Sequence, residues 1–172
     1  CEKYSLPRMI FITNMDFDNA SFRKITEDLT EQFGKKIAPI HFPIRENEKF
    51  TGYVNVVKKA GRKWLEKGQK EECPIPEYLD EYLEKYRETL LEAVAETSEE
   101  FMDRYFAGEE FSVHEIMMAL TQNVSSGDIV VEHLGSFAYL EACVLDDLRC
   151  LLDGLVLHVG NRVARREHAR EG

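Results

Sequence analysis

The spacing of hydrophobic and polar positions changes along the chain, and these changes predict the order of its elements. A short run of strand-forming apolar residues, Met9 to Ile12, ends in the polar cluster Thr13 to Asp16. A helical apolar period follows over residues 22 to 33, with Ser21 or Asn19 available as the cap. The first unit is therefore a strand, a loop and a helix, with polar residues at the carboxyl end of the strand.

Residues 37 to 64 are richer in strand-forming residues. The prolines of "IAPIHFPI" confine this stretch to an edge or an end of a strand. Gly52 predicts a turn ahead of a second β-rich segment, Tyr53 to Val57. The polar stretch 65 to 76, which ends in two prolines, predicts an exposed connection. This region therefore predicts a small sheet or a hairpin.

An acidic helical section runs from Glu77 to about Phe106. Residues 77 to 110 hold twelve Asp or Glu against three Lys or Arg, a balance of −9 within a total net charge of −10. We interpret this excess as a solvated helix face, and a break near Thr97-Ser98 divides the section. The opposite face carries an apolar stripe, made of Leu79, Leu83, Tyr86, Leu90 and Val94.

Another helix and a last strand complete the pattern. Ser112 and Glu115 have the spacing of a capping box, and Gly127 ends the helix that they begin. Ile129 to Val131 predict a strand, and residues 140 to 155 predict a helix after it. The order predicts an α/β fold that contains an inserted α+β subdomain.

Two polar clusters follow predicted strands, at the positions where α/β sheets bind ligands. These clusters are Thr13 to Asp16 and Gly135-Ser136, and they can line one pocket. The carboxylate of Asp16 is an acceptor that suits the N1–H and the amine of guanine. The alternative is that Asp16 is a turn or helix-entry residue, and spacing alone favours this alternative.

Other chemistry is poorly represented in the sequence. The four cysteines lack CxxC spacing, which predicts free thiols in a reducing compartment and argues against zinc. The five histidines form no i,i+3 or i,i+4 pair, so we predict no metal site and no catalytic residue. A basic-aromatic patch suits phosphate or protein contact, or else plain surface packing, which we favour. The patch consists of Lys58, Lys59, Arg62, Lys63 and Trp64.

The phosphate-binding parts of a nucleotide hydrolase are absent from the sequence. Neither GxxxxGK[ST] nor DxxG occurs in the chain. Phosphoryl transfer depends on such parts and on Mg²⁺ for positioning and for charge stabilisation. We therefore expect that the chain alone does not hydrolyse GTP.

Several stretches, in this order, resemble bacterial elongation factor G, a translational GTPase, over residues 4 to 136. They are "PRMIFITNMDFDNASFRKITEDLTEQFG", "PIHFPI", "FTGYVNVV", "RKW", "IPEY" and "LLEAVAETSEEFMDRYFAGEEFSVHEIMMAL". The resemblance implies a partial P-loop-GTPase-type sheet. Residues 1 to 36 and 128 to 160 would form the carboxyl half of the G domain, residues 37 to 127 a G′-like insertion, and residues 161 to 172 a basic tail.

The resemblance also implies the guanine side of a site for GTP or GDP. Asp16 matches the aspartate that recognises guanine, and Ser136 matches the serine of the G-S-A motif. Thr13, Asn14 and Phe137 stand where the family has Asn, Lys and Ala. We expect Asn14 to lie on the opposite face of an extended strand from the family's Asn, because side chains alternate along a strand.

The parent protein implied by the resemblance is a cytoplasmic factor that drives translocation of tRNA and messenger on the ribosome. Its G′ part lies near the acidic stalk proteins. The chain starts at Cys1, so we expect a fragment whose exposed strand edge promotes a homodimer or an exchange of elements. The net charge of −10 argues against a nucleic-acid surface, and we predict no membrane span.

Two other hypotheses stay open. One is a stand-alone interaction module of G′ type, which contacts a ribosomal or other protein partner without a nucleotide. The other is a damaged or artificial derivative that keeps the fold and not the function.

Overall fold

Two β-sheets share one apolar core in the computed structural model, which describes residues 6–15, 17, 19–47, 49–65 and 69–134. One sheet is parallel with three strands, and the other is antiparallel with four strands. Within the described ranges, four α-helices accompany them. The predicted mixed α/β class is confirmed, and its assignment to the P-loop GTPases stays a prediction.

The parallel sheet joins the two ends of the described chain. Helix α1 (Phe22–Phe33) is the crossover that connects its first two strands in sequence. The side chain of Ser21 caps α1 by accepting a hydrogen bond from the backbone N–H of Lys24 at 3.4 Å, and α1 ends at Gly34. The predicted helix and cap are confirmed. The strands are β1 (Met9–Ile12), β2 (Ile37–Pro39) and, between them in the sheet, β7 (Val130–Leu134).

The antiparallel sheet is larger than the small sheet or hairpin that the sequence predicts. One strand, β6 (Lys70–Cys73), occupies part of the stretch 65 to 76, for which the sequence predicts only a connection. That prediction is wrong because β6 is a polar edge strand, whose exposed Glu71 and Glu72 give no apolar period. In sheet order the strands are β3 (His41–Glu46), β4 (Lys49–Asn55), β5 (Ala60–Trp64) and β6 (Lys70–Cys73).

Gly52 lies inside β4, so the turn predicted there is wrong. It pairs with Lys63 on β5, and a Cβ at this position would stand 2.1 Å from the carbonyl oxygen of Arg62. Gly52 is therefore needed for the close approach of two backbones rather than for a turn. The turn between β4 and β5 comes later, at residues 56–59, where Lys59 has a φ of +51°.

Ile40 is the junction between the two sheets. Its backbone N–H donates to the carbonyl of Glu132 on β7 at 3.4 Å, and its carbonyl accepts from the N–H of Val56 at 3.0 Å. The change of sheet thus falls at Ile40, because residues 37–39 pair with β7. The predicted insertion begins earlier, at residue 37. The division into a G domain and a G′ subdomain stays a prediction.

Three further helices follow the second sheet. The predicted break is confirmed, since Ser98 caps a new helix by accepting a hydrogen bond from the N–H of Phe101 at 3.1 Å. Both bonds of the predicted capping box between Ser112 and Glu115 are present, and Gly127 ends that helix with a φ of +88°. The helices are α2 (Asp80–Ala95), α3 (Glu99–Phe106) and α4 (Val113–Ser126), with a 3₁₀ turn at Glu77–Leu79 ahead of α2.

The acidic excess of α2 lies on a solvated face, as predicted. Its apolar stripe is buried in the core while Glu81, Glu84 and Glu88 are exposed. Among the helices in the described part of the chain, none is both long enough and apolar enough to cross a membrane.

The basic-aromatic patch lies on the surface, and the alternative of contact with phosphate or protein stays a prediction. The ring of Trp64 packs against that of Tyr53, with 5.6 Å between centroids, and several cations of the patch pair with carboxylates. The pairs are Lys59 with Glu84, Arg62 with Glu72, and Lys63 with Glu46.

Substitution of Gly52 by alanine tests the close approach of β4 and β5. The added methyl group would overlap a backbone carbonyl, so the strands must separate, and we expect a loss of about 3 kcal/mol in the free energy of unfolding. Chemical denaturation measures this loss. Thr51→Ala in the same strand is the control, and we expect it to cost less than about 1 kcal/mol, since it removes only a 3.4 Å hydrogen bond to the carbonyl of Ile44. Equal stability of Gly52→Ala and the wild type would contradict this account.

Candidate functional site

The carboxyl ends of β1 and β7 lie side by side at one edge of the parallel sheet. Their register pairs Ile12 with Leu134, so the residues that follow the two strands leave the sheet from adjacent points. Thr13 follows one strand and Gly135 follows the other. The two strand ends are thus brought together as a shared site requires. Asp16, Ser136 and Phe137 lie outside the described residues, and their roles stay predictions.

The loop after β1 is a tight turn instead of an extended continuation of the strand. Asn14 has a φ of +59°, in the left-handed region that asparagine tolerates better than most residues. Its carbonyl accepts from the N–H of Phe17 at 3.1 Å, and the carbonyl of Phe17 accepts from the N–H of Ala20 at 3.0 Å. The prediction that Asn14 lies on a face of an extended strand is therefore wrong, because the strand ends at Ile12.

The side chains of this loop divide between core and solvent. Thr13 and Asn14 are exposed, so both predicted site residues that the structure describes are accessible to a ligand. Met15 is fully buried and anchors the turn in the core. A ligand at this edge would therefore contact a loop that is held from below by an apolar side chain.

A second anchor comes from Arg45, which lies at the end of β3 and was not predicted as a site residue. Its Nη1 donates to the carbonyls of Met15 and Ala20 at 3.1 and 3.2 Å, and its Nη2 donates to the carbonyl of Phe17 at 3.2 Å. A single arginine in a β-rich stretch carries no sequence pattern that would mark such a role.

Two open cavities flank Tyr86, which packs edge-on against Phe22 with 5.5 Å between ring centroids. The cavity nearer the loop has a volume of about 450 Å³ and is lined by Arg45, Tyr78 and Tyr82 among others. Its aromatic and guanidinium lining suits a flat or anionic group. The other cavity, about 380 Å³, lies between α1 and α2.

Glu132 is an ionisable group in the core that the sequence did not mark. It lies on β7, two residues before the end of the strand, and is 0% exposed. Its Oε1 accepts a hydrogen bond from the hydroxyl of Thr26 on α1 at 2.8 Å, while its Oε2 is buried and has no hydrogen-bond partner among the described residues. Burial raises the pKa of Glu132 to about 7. Burial also raises the pKa of Tyr86, and the nearby Glu132 adds to that rise.

Few groups in the described ranges have the features of a reactive centre. They contain no cluster of three or more His, Cys, Asp or Glu side chains that could hold a metal ion. Cys73 is a free thiol whose pKa is raised by burial, which disfavours the nucleophilic thiolate. The ring of His41 is buried and lies 3.0 Å from the side-chain amide of Asn55.

Replacing Glu132 by glutamine should change how stability depends on pH. Below pH 4.5 the carboxyl is neutral in both states, so the wild type carries no penalty. Between pH 4.5 and 7 the carboxyl of Glu132 is ionised in the unfolded chain but still neutral in the folded chain. The contribution of Glu132 to the free energy of unfolding therefore falls as pH rises. The gap between a pKa of about 7 in the folded chain and the ordinary 4.5 corresponds to about 3 kcal/mol.

We expect Glu132→Gln to match the wild type near pH 4.5 and to exceed it by up to about 3 kcal/mol at pH 8. Urea unfolding of both proteins across this range measures the difference, with the low-pH values as the internal control. If the stabilities of the two proteins changed in parallel with pH, the raised pKa of the buried Glu132 carboxyl would be contradicted.

Comparison with known proteins identifies a structural relative. No protein-family model matches the chain. A crystal structure of a protein from Thermus thermophilus is similar to it, with a TM-score of 0.76 and 30% sequence identity. The similarity covers 90% of this chain and 23% of that one. The chain therefore has the fold of a segment of a much longer protein, whose name states an organism and no activity.

Proposed function

We propose that the chain is the carboxyl half of the G domain, with its G′-like insertion, of a translational GTPase similar to bacterial elongation factor G. The observation that supports this most is the parallel pairing of β1 with β7, with Ile12 opposite Leu134. A guanine site built from two distant motifs needs two strand ends at one edge. The ordered sequence stretches and the 30% identity to a Thermus thermophilus protein also support it.

In this proposal the strand ends recognise the base and not the phosphates. A guanine ring presents an N1–H and an amine, and leaving either donor unpaired costs about 1–3 kcal/mol. By resemblance, the carboxylate of Asp16 would accept from both donors, and a backbone N–H at Ser136 and Phe137 would donate to the base oxygen. Thr13 and Asn14, which are exposed, stand where the family has an Asn that contacts the base and a Lys whose stem covers the face of the base. We therefore expect weak binding that still prefers guanine to adenine.

Titration of GDP and ADP against the chain, followed by nuclear magnetic resonance, tests this proposal. We expect GDP to bind more tightly, and Asp16→Ala to lower its preference over ADP by about tenfold or more, because two donors of guanine lose their acceptor. Asp18→Ala is the matched control, since it removes the same charge from the same loop. Equal affinities for GDP and ADP in the wild type, or an equal effect of both variants, would overturn the proposal.

A second candidate function is a protein-interaction module that needs no nucleotide. It is favoured by the corner that α3 and α4 form, because these helices carry large exposed apolar side chains. Phe106 is 78% exposed and Met118 is 57% exposed, with Val113 between them in the sequence. Large exposed apolar side chains are candidates for contact with a partner. The resemblance suggests the stalk proteins of the large ribosomal subunit as the partner.

The same corner is held rigid by Arg104, which favours binding by a preformed surface. Its Nη1 donates to Glu115 at 2.7 Å, and its guanidinium carbon lies 4.9 Å from the centroid of the Phe111 ring. The bond from Arg104, together with those from Ser112, lowers the pKa of Glu115 to about 2. The contacts fix the start of α4 against α3 across the physiological pH range.

Met118→Glu tests the interaction module. We expect the affinity for purified stalk protein to fall by about tenfold or more in calorimetric titrations, because a charge would be buried at the interface. Leu65→Glu, which changes another exposed apolar residue just after β5, is the control that should leave binding unchanged. Absence of wild-type binding, or the same loss in both variants, would contradict this candidate.

A further inference from the structure

Arg45 reaches out of the antiparallel sheet to bind a loop of the parallel sheet. Its guanidinium donates hydrogen bonds to the carbonyls of Met15, Phe17 and Ala20, at 3.1 to 3.2 Å, about thirty residues earlier in the chain. Hydrogen bonds from a charged donor are stronger than those between neutral groups. One side chain therefore satisfies three carbonyls of a turn that has only two internal backbone hydrogen bonds among its described residues.

The backbone at Arg45 is held by neighbouring elements on two sides. On one side β3 pairs with β4, and the register shifts between Ile44 and Arg45, where Thr51 of β4 has no opposing residue on β3. The hydroxyl of Tyr78, from the 3₁₀ turn ahead of α2, donates to the carbonyl of Arg45 at 2.7 Å and fixes the position from the other side.

We propose that Arg45 is a positioning residue, which sets the geometry of the loop after β1 from the antiparallel sheet. Met15 and Phe17, whose carbonyls it holds, are the chain neighbours of Asp16 on either side. A role of Arg45 in base recognition rests on the proposed function, whereas its holding of the loop does not depend on that function. The antiparallel sheet thus supports the loop after β1 through Arg45.

A purely structural role of Arg45 predicts a different pattern of local stability. If Arg45 contributed only to overall stability, its loss would weaken all parts of the fold alike. A positioning role requires instead that the loop opens locally while the strands beneath it stay closed. The amides of Phe17 and Ala20 report this opening, because both are hydrogen-bonded within the turn.

The chain offers a matched control for this test in Arg87. Its Nη1 donates to the carbonyls of Val56 and Val57 at 2.9 and 2.8 Å, so it also fastens a turn from a neighbouring element. That turn lies at the other end of β4, away from the loop after β1. Arg87→Ala therefore removes similar bonds without touching the proposed site.

Amide hydrogen exchange of the whole chain, without nucleotide, is the primary experiment. In Arg45→Ala we expect the amides of Phe17 and Ala20 to exchange about tenfold faster or more, while that of Val131 on β7 changes far less. Arg45→Lys should behave like the alanine variant, since an ammonium cannot bridge three carbonyls in a fixed fork. Arg87→Ala should leave the loop amides unchanged.

The GDP and ADP titrations, repeated on these variants, separate this proposal from the proposed function. Faster loop exchange together with a reduced GDP preference in Arg45→Ala supports both. Faster loop exchange in a chain that binds no nucleotide supports the positioning role and overturns the nucleotide site. Unchanged exchange at Phe17 and Ala20 in Arg45→Ala, or an equal rise in Arg87→Ala, overturns the positioning role.

Discussion

The hydrogen bonding of β7 to both β1 and β2 is the constraint on which the rest of this structure depends. It pairs Met9 with Val131, so a strand near the start of the chain is held by one more than a hundred residues later. Such distant pairing carries a loop-closure cost that apolar burial must offset. Val130 and Val131 supply part of that burial, since both are almost completely inaccessible. The chain between β2 and β7 is therefore an insertion in the parallel sheet. It leaves this sheet at Ile40 and returns as β7, which pairs directly with β2.

This closure gives the candidate site its two main properties. It places two strand ends side by side, and it brings the antiparallel sheet close enough for Arg45 to hold the loop that follows β1. It also puts Glu132, one oxygen of which has no partner in the described part of the chain, in the central strand just below that edge. Groups with strongly shifted pKa values are common near functional sites, although structural networks shift them too. This edge therefore combines a loop held by a charged donor with a buried ionisable group in the strand beneath it.

The sequence correctly predicts those elements that are marked by a short local pattern of residues. Helix α1 with its Ser21 cap, the break at Ser98 and the capping box at Ser112 each follow from a short pattern with one physical cause. The failures share another cause, because they depend on residues distant in sequence. Gly52 looked like a turn residue and is required by the approach of Arg62, and β6 has no apolar period because it is a polar edge. The anchoring role of Arg45 and the burial of Glu132 likewise arise only when the two sheets meet.

The central proposal is that this chain is part of a GTPase whose phosphate-binding half is encoded next to it. The most direct test is to determine the genomic or transcript sequence upstream of the codon for Cys1. The account predicts an open frame that continues upstream and encodes a GxxxxGK[ST] loop followed by a DxxG motif. A stop codon in frame shortly before Cys1, or an upstream sequence that encodes an unrelated domain, would contradict it.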